Sequence, residues 1–201
     1  PQWDKVWRIM LMTYLTLMLI RDKDRVHWLV VVIAFSLAFY GVKGGIFVLT
    51  GGSGDNVRGP EGSFIEDRNS IGLALLMTVP LLWYVRLQLK VAWQRLGLMA
   101  MTVLTLIAVI GTHSRGALVG LAAMGCFFLL KARNRFAVLL GALPVVLVVF
   151  FVMPPEWFER MHTIVTYQDD GSAQRRIYAW GHAIEIADAS IFGGGFRAVT
   201  G

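Results

Sequence analysis

Long apolar runs, separated by short polar segments, dominate this chain. A helix needs about 20 residues to cross about 30 Å of hydrocarbon. Six segments reach or approach this length, namely residues 6–20, 26–49, 70–89, 96–112, 115–130 and 136–153. Because apolar residues cover every face of these segments, the predicted helices suit lipid and neighbouring helices better than water. The pattern predicts an all-α fold, a polytopic transmembrane bundle of about six helices.

The charged residues between the predicted helices indicate which loops face the cytoplasm. Three alternate loops are basic and contain, in order, Arg21, Lys23 and Arg25; Arg86, Lys90 and Arg95; and Lys131, Arg133 and Arg135. By the positive-inside rule these loops are cytoplasmic. Residues 50–69, 112–115 and 154–201 are then predicted on the other, non-cytoplasmic face. The first of these segments is acidic on balance, which agrees with that orientation.

The composition agrees with a membrane environment. Of 201 residues, 56% are hydrophobic and 16% are charged, which is too apolar for an ordinary water-soluble domain. The single cysteine, Cys126, excludes a disulfide within the chain and a Cys-rich metal site. The chain begins at Pro1 and ends at Gly201, so we expect a fragment of a longer protein. We expect one membrane domain, with a transmembrane bundle in 1–153 and the start of a large non-cytoplasmic loop in 154–201.

Candidate chemistry is concentrated in the predicted non-cytoplasmic segments. Residues 50–69 are rich in glycine, which predicts a mobile or re-entrant loop. The alternative is a flexible connector that ends in a helix cap at Asp67 or Asn69. In the tight turn that follows the fourth predicted helix, Arg115 either reaches toward lipid phosphate or lines a polar cavity. Nucleophilic catalysis by the adjacent Ser114 is disfavoured, because the sequence offers no partner acid.

The third predicted non-cytoplasmic segment contains an amphipathic helix, residues 173–189. At 100° per residue, one face collects the apolar side chains Ile177, Trp180, Ala183, Ile184 and Ala187, and the other face collects Arg175, Tyr178, His182 and Glu185. Arg176 falls in the middle of the apolar face, which is costly unless an anion lies there. The alternative is an interfacial helix whose arginine reaches into the lipid headgroups.

Arg115 and Arg176 together predict a pyrophosphate site near one membrane surface. A guanidinium group matches phosphate oxygens with two parallel hydrogen bonds and keeps its charge at any working pH. Two such groups could hold a diphosphate and stabilise it as it leaves. The sequence shows no carboxylate cluster of the kind that Mg²⁺ needs, so we expect no metal and no cofactor.

These segments resemble a known family. The Ser114-Arg115-Gly116 turn, Ser172, and the runs 176–180 and 192–196 resemble the core of the O-antigen ligase and Wzy-type polymerase superfamily. Residues 64–69 and the run 79–82, together with the Gly-Gly-Gly-Phe ending, are similar to the branch of O-glycosylation ligases associated with exosortase systems. The resemblance covers roughly residues 30–201 and rests on the order, spacing and sidedness of the motifs.

The resemblance implies a glycosyltransferase or ligase reaction at the periplasmic face of the bacterial inner membrane. A glycan on undecaprenyl pyrophosphate would pass to a hydroxyl of a lipid A core sugar, a growing glycan or a protein. Arg115 and Arg176 match the family arginines that bind the pyrophosphate, and the candidate substrate-binding residues are Arg115, Arg176, Arg175, Ser114, Trp180 and Arg68. The resemblance places a histidine base beyond residue 201, so neither His162 nor His182 is assigned that role.

Two other classes of function stay open. A polytopic bundle with charge inside it, such as Lys43, also describes a membrane transporter or flippase. Lys43 lies near the predicted outer end of its helix and can reach the interface, so it does not require a buried relay. A structural subunit without catalysis is the third class. Within the first class, ligase and Wzy-type polysaccharide polymerase share this architecture.

Overall fold

The computed structural model describes residues 2–132, 135–162 and 171–189. The helices are α1 (Gln2–Leu19), α2 (Lys23–Leu49), α3 (Arg68–Gln88), α4 (Ala92–Gly111), α5 (Arg115–Lys131), α6 (Arg135–Val152), α7 (Pro155–His162) and α8 (Gly171–Ala189), with one 3₁₀ turn at Gly52–Gly54. The described part of the chain contains no strand. The predicted all-α fold is therefore confirmed, and α1 to α6 coincide within a few residues with the six predicted segments.

Three of the described helices, α2, α3 and α4, are long enough and apolar enough to cross a membrane. The apolar part of α1, Val6–Leu19, is shorter. A membrane helical fold is what these lengths and compositions support. The three helices also pack most extensively on one another, and α5 and α6 pack against this core from the side.

The described residues belong to two compact units. The first comprises Lys23–Met161 and therefore holds α2 to α6 and nearly all of α7. The second is drawn from Pro1–Asp22 and His162–Gly201 and contains α1 and α8.

In the first unit, small residues on α2 allow α4 to approach closely. A Cβ atom added at Gly44 would lie 2.9 Å from Cγ1 of Val57 and 3.1 Å from Cβ of Ala108. Ala34 and Ala38 are fully buried on the same helix. Without a hydrophobic driving force between helices in lipid, such close contact supplies the dispersion energy that holds them together.

The first unit contains three buried clusters. One comprises Val48, Val57, Ile107, Ile110, Val145, Met153 and Trp157. A second comprises Ile71, Leu75, Leu76, Ala108, Val109 and Ala117, and the third comprises Ala34, Ala38, Leu82, Val85 and Leu98. The buried hydroxyl groups of Thr78 and Thr105 are hydrogen-bonded, because they donate to the carbonyls of Ala74 and Met101.

The two ends of the first unit differ in their side chains. We call the end where α4 passes into α5 the Arg115 end, and the end where α2 begins and α3 ends the basic end, which contains Arg25, Arg86, Lys90 and Arg95. At the basic end, Nδ1 of His27 lies 3.1 Å from the hydroxyl of Tyr84. This contact brings the start of α2 next to the end of α3.

Candidate functional site

The turn between α4 and α5 buries polar groups at the Arg115 end. Thr112 is fully buried, His113 is 6% exposed and Ser114 is 4% exposed. A buried polar group costs free energy unless it is hydrogen-bonded. The contacts of these three residues therefore define the geometry around Arg115.

Hydrogen bonds within the turn end α4. The Thr112 hydroxyl donates to the carbonyl of Val109 at 2.7 Å, and the His113 amide donates to the carbonyl of Ile110 at 3.1 Å. His113 has a φ of 51°, in the left-handed region that residues with a Cβ rarely adopt. This conformation reverses the chain between the two helices, so that Ser114 can begin the next one.

Ser114 joins the start of α5 to the start of α3. Its hydroxyl accepts from the amide of Ala117 at 3.2 Å, which caps α5, and donates to Oδ1 of Asn69 at 2.8 Å. Asn69 belongs to the first turn of α3. A serine cap of this kind satisfies one of the amides that a helix leaves without an intrahelical partner.

Asp67 caps α3 in the same way. Its Oδ1 accepts from the amides of Asn69 at 2.8 Å and Ser70 at 3.2 Å. The Ser70 hydroxyl, these two amides and the charge of Arg68 lower the pKa of Asp67 below its ordinary value of 3.8, and the lesser opposing effect of burial does not cancel them. Of the two cap candidates in the sequence, Asp67 and Asn69, it is Asp67 that caps α3. Asn69 instead contacts Ser114 at the start of α5.

Close packing places these two helix starts side by side. A Cβ atom added at Gly72 would lie 2.9 Å from Cβ of Ala117 and 3.1 Å from Oγ1 of Thr112. Each helix begins with an arginine, Arg68 in α3 and Arg115 in α5. Since a helix start carries a partial positive charge, an arginine at that position is disfavoured unless an anion lies nearby. The arrangement brings Arg68 and Arg115 to neighbouring helix starts, the first of which is capped by the Asp67 carboxylate.

Two further segments dock onto the last turn of α4. The amide of Val57 donates to the carbonyl of Gly111 at 2.8 Å, and Nε1 of Trp157 in α7 donates to the carbonyl of Ile110 at 3.3 Å. The contacts join part of 50–69, the turn and α7 at one end of the unit. That end therefore includes two of the predicted periplasmic segments and the beginning of the third.

Residues 59–66 form a hydrogen-bonded loop. The Gly59 amide donates to the carbonyl of Glu66 at 3.1 Å, and the Gly62 amide donates to Oε2 of the same residue at 2.8 Å. The Ser63 hydroxyl donates to the carbonyl of Pro60 at 2.6 Å. The sequence offered a mobile or re-entrant loop or a connector that ends in a helix cap, and this loop leads to the Asp67 cap of α3.

The predicted site residues lie in both units. Ser114 is buried, and Arg68 and Arg115 are half-buried, with Nη1 of Arg115 shielded from solvent. In the second unit, Arg175 and Trp180 are exposed on α8. Arg176 belongs to the same helix, but its side chain lies outside the described part of the structure, as do residues 192–196.

The predicted helix over 173–189 is confirmed by α8. On its polar face, the rings of Tyr178 and His182 stack with centroids 6.4 Å apart, and Nδ1 of His182 lies 3.3 Å from Oε2 of Glu185. Ile177 and Trp180, on the predicted apolar face, are exposed within the chain. The shared face of the three polar side chains agrees with the 100° projection.

Sequence reasoning missed two contacts, that of Asn69 with Ser114 and that of Trp157 with Ile110. Asn69 was considered only as a helix cap, and Trp157 was not assigned a role. The signal that could have indicated Trp157 is a tryptophan in a polar segment directly after an apolar helix, since a buried indole usually finds an acceptor for its N–H group. In 2–132, 135–162 and 171–189, no three His, Cys, Asp or Glu side chains lie close enough to hold a metal ion.

Comparisons with known proteins give two family matches. A protein-family model described as O-Antigen ligase matches residues 100–200, which include α5, α8 and both predicted pyrophosphate-binding arginines. A second model, described as a family of unknown function, matches residues 1–90. No curated protein and no solved structure matches the chain.

Proposed function

This chain belongs to the O-antigen ligase family, and we propose that it transfers a glycan from undecaprenyl pyrophosphate to an acceptor hydroxyl. Family membership supports a membrane glycan ligase in general, and the three long apolar helices agree with action at a membrane. It also favours the ligase over the transporter that the sequence left open. The donor, the acceptor and the roles of individual residues are parts of the proposal.

The observation that carries the proposal is the position of Arg115. It is the first residue of α5, beside the start of α3, and it follows a turn whose polar groups are buried and hydrogen-bonded. The partial positive charge of two helix starts attracts an anion and disfavours a cation. A bound diphosphate would offset the cost of placing a guanidinium group there. Because Nη1 of Arg115 is buried, its attraction to the diphosphate would be stronger than in bulk water.

Arg68 and Arg176 complete the proposed donor site. Arg68 is the first residue of α3, and the next residue, Asn69, accepts a hydrogen bond from Ser114, which directly precedes Arg115. In the proposal Arg115 and Arg176 each bind the diphosphate through two parallel hydrogen bonds, and Arg68 adds charge from the neighbouring helix. Two residues of α8, Arg175 and Trp180, would contact the donor next to Arg176.

The proposed reaction is a glycosyl transfer without a metal. The acceptor oxygen forms a bond to the anomeric carbon of the donor, the bond from that carbon to the pyrophosphate oxygen breaks, and the electron pair leaves with undecaprenyl pyrophosphate. The acceptor proton passes to a general base, a role that we do not assign to His162 or His182. Arg115 and Arg176 stabilise the charge that grows on the leaving diphosphate.

The proposed location is the bacterial inner membrane, with the Arg115 end at the periplasmic face. The basic end supports this orientation, because Arg25, Arg86, Lys90 and Arg95 belong there and basic residues mark the cytoplasmic side. The acceptor would be a lipid A core sugar, another glycan, as in a Wzy-type polymerase, or a protein hydroxyl, as in exosortase-associated ligases. The sequence and geometry support the diphosphate more specifically than they support any one acceptor.

Glycan transfer by the purified full-length protein, with lipid-linked donor, tests the proposal. Arg115→Ala and Arg176→Ala should each lower the rate by at least about 100-fold, because a preorganised charge on the leaving group is lost. Arg115→Lys should recover little activity, since an ammonium group cannot reproduce the paired contact. Arg86→Ala, at the basic end, is the matched control and should retain transfer. Normal transfer by both alanine variants would reject the diphosphate role.

A further inference from the structure

Trp157 attaches α7 to the bundle. Its side chain is 5% exposed and packs in the cluster of Val48, Val57 and Ile110 at the Arg115 end. The next residue, Phe158, is 41% exposed, and the two rings meet edge to face with centroids 5.1 Å apart. The short helix therefore turns one aromatic ring into the core and leaves the other on the surface.

The indole N–H group of Trp157 has a specific acceptor. It donates to the carbonyl of Ile110 at 3.3 Å, and the same carbonyl accepts the His113 amide at 3.1 Å. One oxygen atom thus holds both α7 and the left-handed residue of the turn. Because buried indole nitrogens are costly to leave unpaired, this bond fixes the register of α7 against α4.

The bond joins α7 to the part of α4 that leads into the Arg115 turn. The Ile110 carbonyl lies at the end of α4, shortly before Ser114 and Arg115, and Trp157 lies in α7 of the same unit. Precise placement of binding groups depends on residues that hold the segments carrying them. Trp157 is the described side chain of α7 that is both buried and hydrogen-bonded to the last turn of α4.

We propose that Trp157 is a positioning residue, which holds the start of the 154–201 segment on the 111–116 turn and thereby sets the affinity for the diphosphate of the donor. The inference rests on the proposed function. It assigns Trp157 no contact with the substrate. Its effect passes through the Ile110 carbonyl to the turn that carries Arg115.

Two readouts on the full-length protein in lipid nanodiscs test this role. The first is hydrogen exchange of the amides in 111–116 without donor, and the second is the KM for lipid-linked donor and, separately, for acceptor. Trp157→Phe keeps most of the ring volume and removes the N–H group. Losing one hydrogen bond should speed exchange in the turn and raise the donor KM, each by roughly fivefold, with the acceptor KM unchanged. Glu159→Ala, an exposed position on α7, is the matched control and should leave exchange in the turn as it is.

The outcomes separate the positioning role from simple packing and from the proposed function. Unchanged exchange and unchanged donor KM in Trp157→Phe would overturn the inference, and so would faster exchange with an unchanged donor KM. An equal rise in the acceptor KM would also contradict it, since a general loosening of the site has no preference for the donor. If Arg115→Ala retains transfer, the proposed function fails, whereas the exchange measurement still reports on the bond between Trp157 and Ile110.

Discussion

Both ends of the first unit carry arginines, but the contacts that join their helices differ. At the Arg115 end, Ser114 is buried and bonded to Asn69 of another helix, and Trp157 bonds to the last turn of α4 from a third segment. At the basic end, the hydrogen bond between His27 and Tyr84 is exposed. Cζ of Arg86 lies 4.7 Å from the ring centroid of Trp83, one turn away on the same helix.

The difference separates a site that depends on geometry from one that depends on charge. Exposed basic and aromatic side chains can anchor a helix end in the interface in many arrangements. Buried groups bonded between segments have one arrangement, and a change at any of them is transmitted to the others. We therefore expect substitutions at the Arg115 end to be costly and equivalent substitutions at the basic end to be tolerated.

The largest expected effect on stability comes from glycine. Gly72 is buried where α3 meets Ala117 of α5, whereas a Cβ atom at Gly97, toward the basic end of α4, would meet no described atom within 4 Å. Gly72→Leu should therefore destabilise the protein by about 3 kcal/mol, because a buried side chain has no room there. Gly97→Leu should cause no loss. The thermal midpoint of the detergent-solubilised protein measures both, and equal midpoints would show that the two ends do not differ in packing.

A smaller effect is expected at the left-handed residue of the turn. His113→Val places a β-branched residue at a φ of 51° and should cost roughly 2 kcal/mol. His113→Asn should cost less, since asparagine adopts this conformation more readily. His27→Ala removes an exposed contact at the basic end and should lower stability by at most about 0.5 kcal/mol. A valine variant as stable as the asparagine variant would contradict the role of the conformation.

The smallest effect concerns the Asp67 cap and depends on pH. Because the pKa of Asp67 is lowered by folding, its contribution to stability is complete above its ordinary value of 3.8 and is lost as the pH falls through the folded pKa. The difference in midpoint between the wild type and Asp67→Asn should stay constant from pH 7 to pH 5 and shrink below about pH 4. Asp24→Asn, in the first turn of α2 at the basic end, is the control. A difference that shrinks near neutral pH would exclude Asp67 as its source.

The sequence predicts the helices well because apolar runs and caps are local signals. The α3 start at Arg68 and the α5 start at Arg115 are both indicated by a capping residue and the apolar run that follows. The contacts that build the candidate site are not local. Asn69 meets Ser114 and Trp157 meets Ile110 across long stretches of chain, and a single sequence carries no signal for which distant residues pair.

The same limit applies to the role of individual residues. An adjacent pair such as Arg175 and Arg176 can be assigned to different faces of a helix from periodicity, and α8 confirms the helix. The partner of each face depends on tertiary structure, so the pyrophosphate role of Arg176 stays a prediction. The glycine-rich residues 59–66 illustrate the same limit, because their composition does not indicate the hydrogen bonds that Gly59 and Gly62 make to Glu66.

Preference for a diphosphate over a monophosphate tests the shared role of Arg115 and Arg176 most directly. The measurement is the binding of undecaprenyl pyrophosphate and of undecaprenyl phosphate to the purified full-length protein and its variants. The proposal predicts that the wild type and Arg86→Ala prefer the diphosphate by roughly tenfold or more, and that Arg115→Ala and Arg176→Ala each lose this preference. An undiminished preference in either alanine variant would contradict the account.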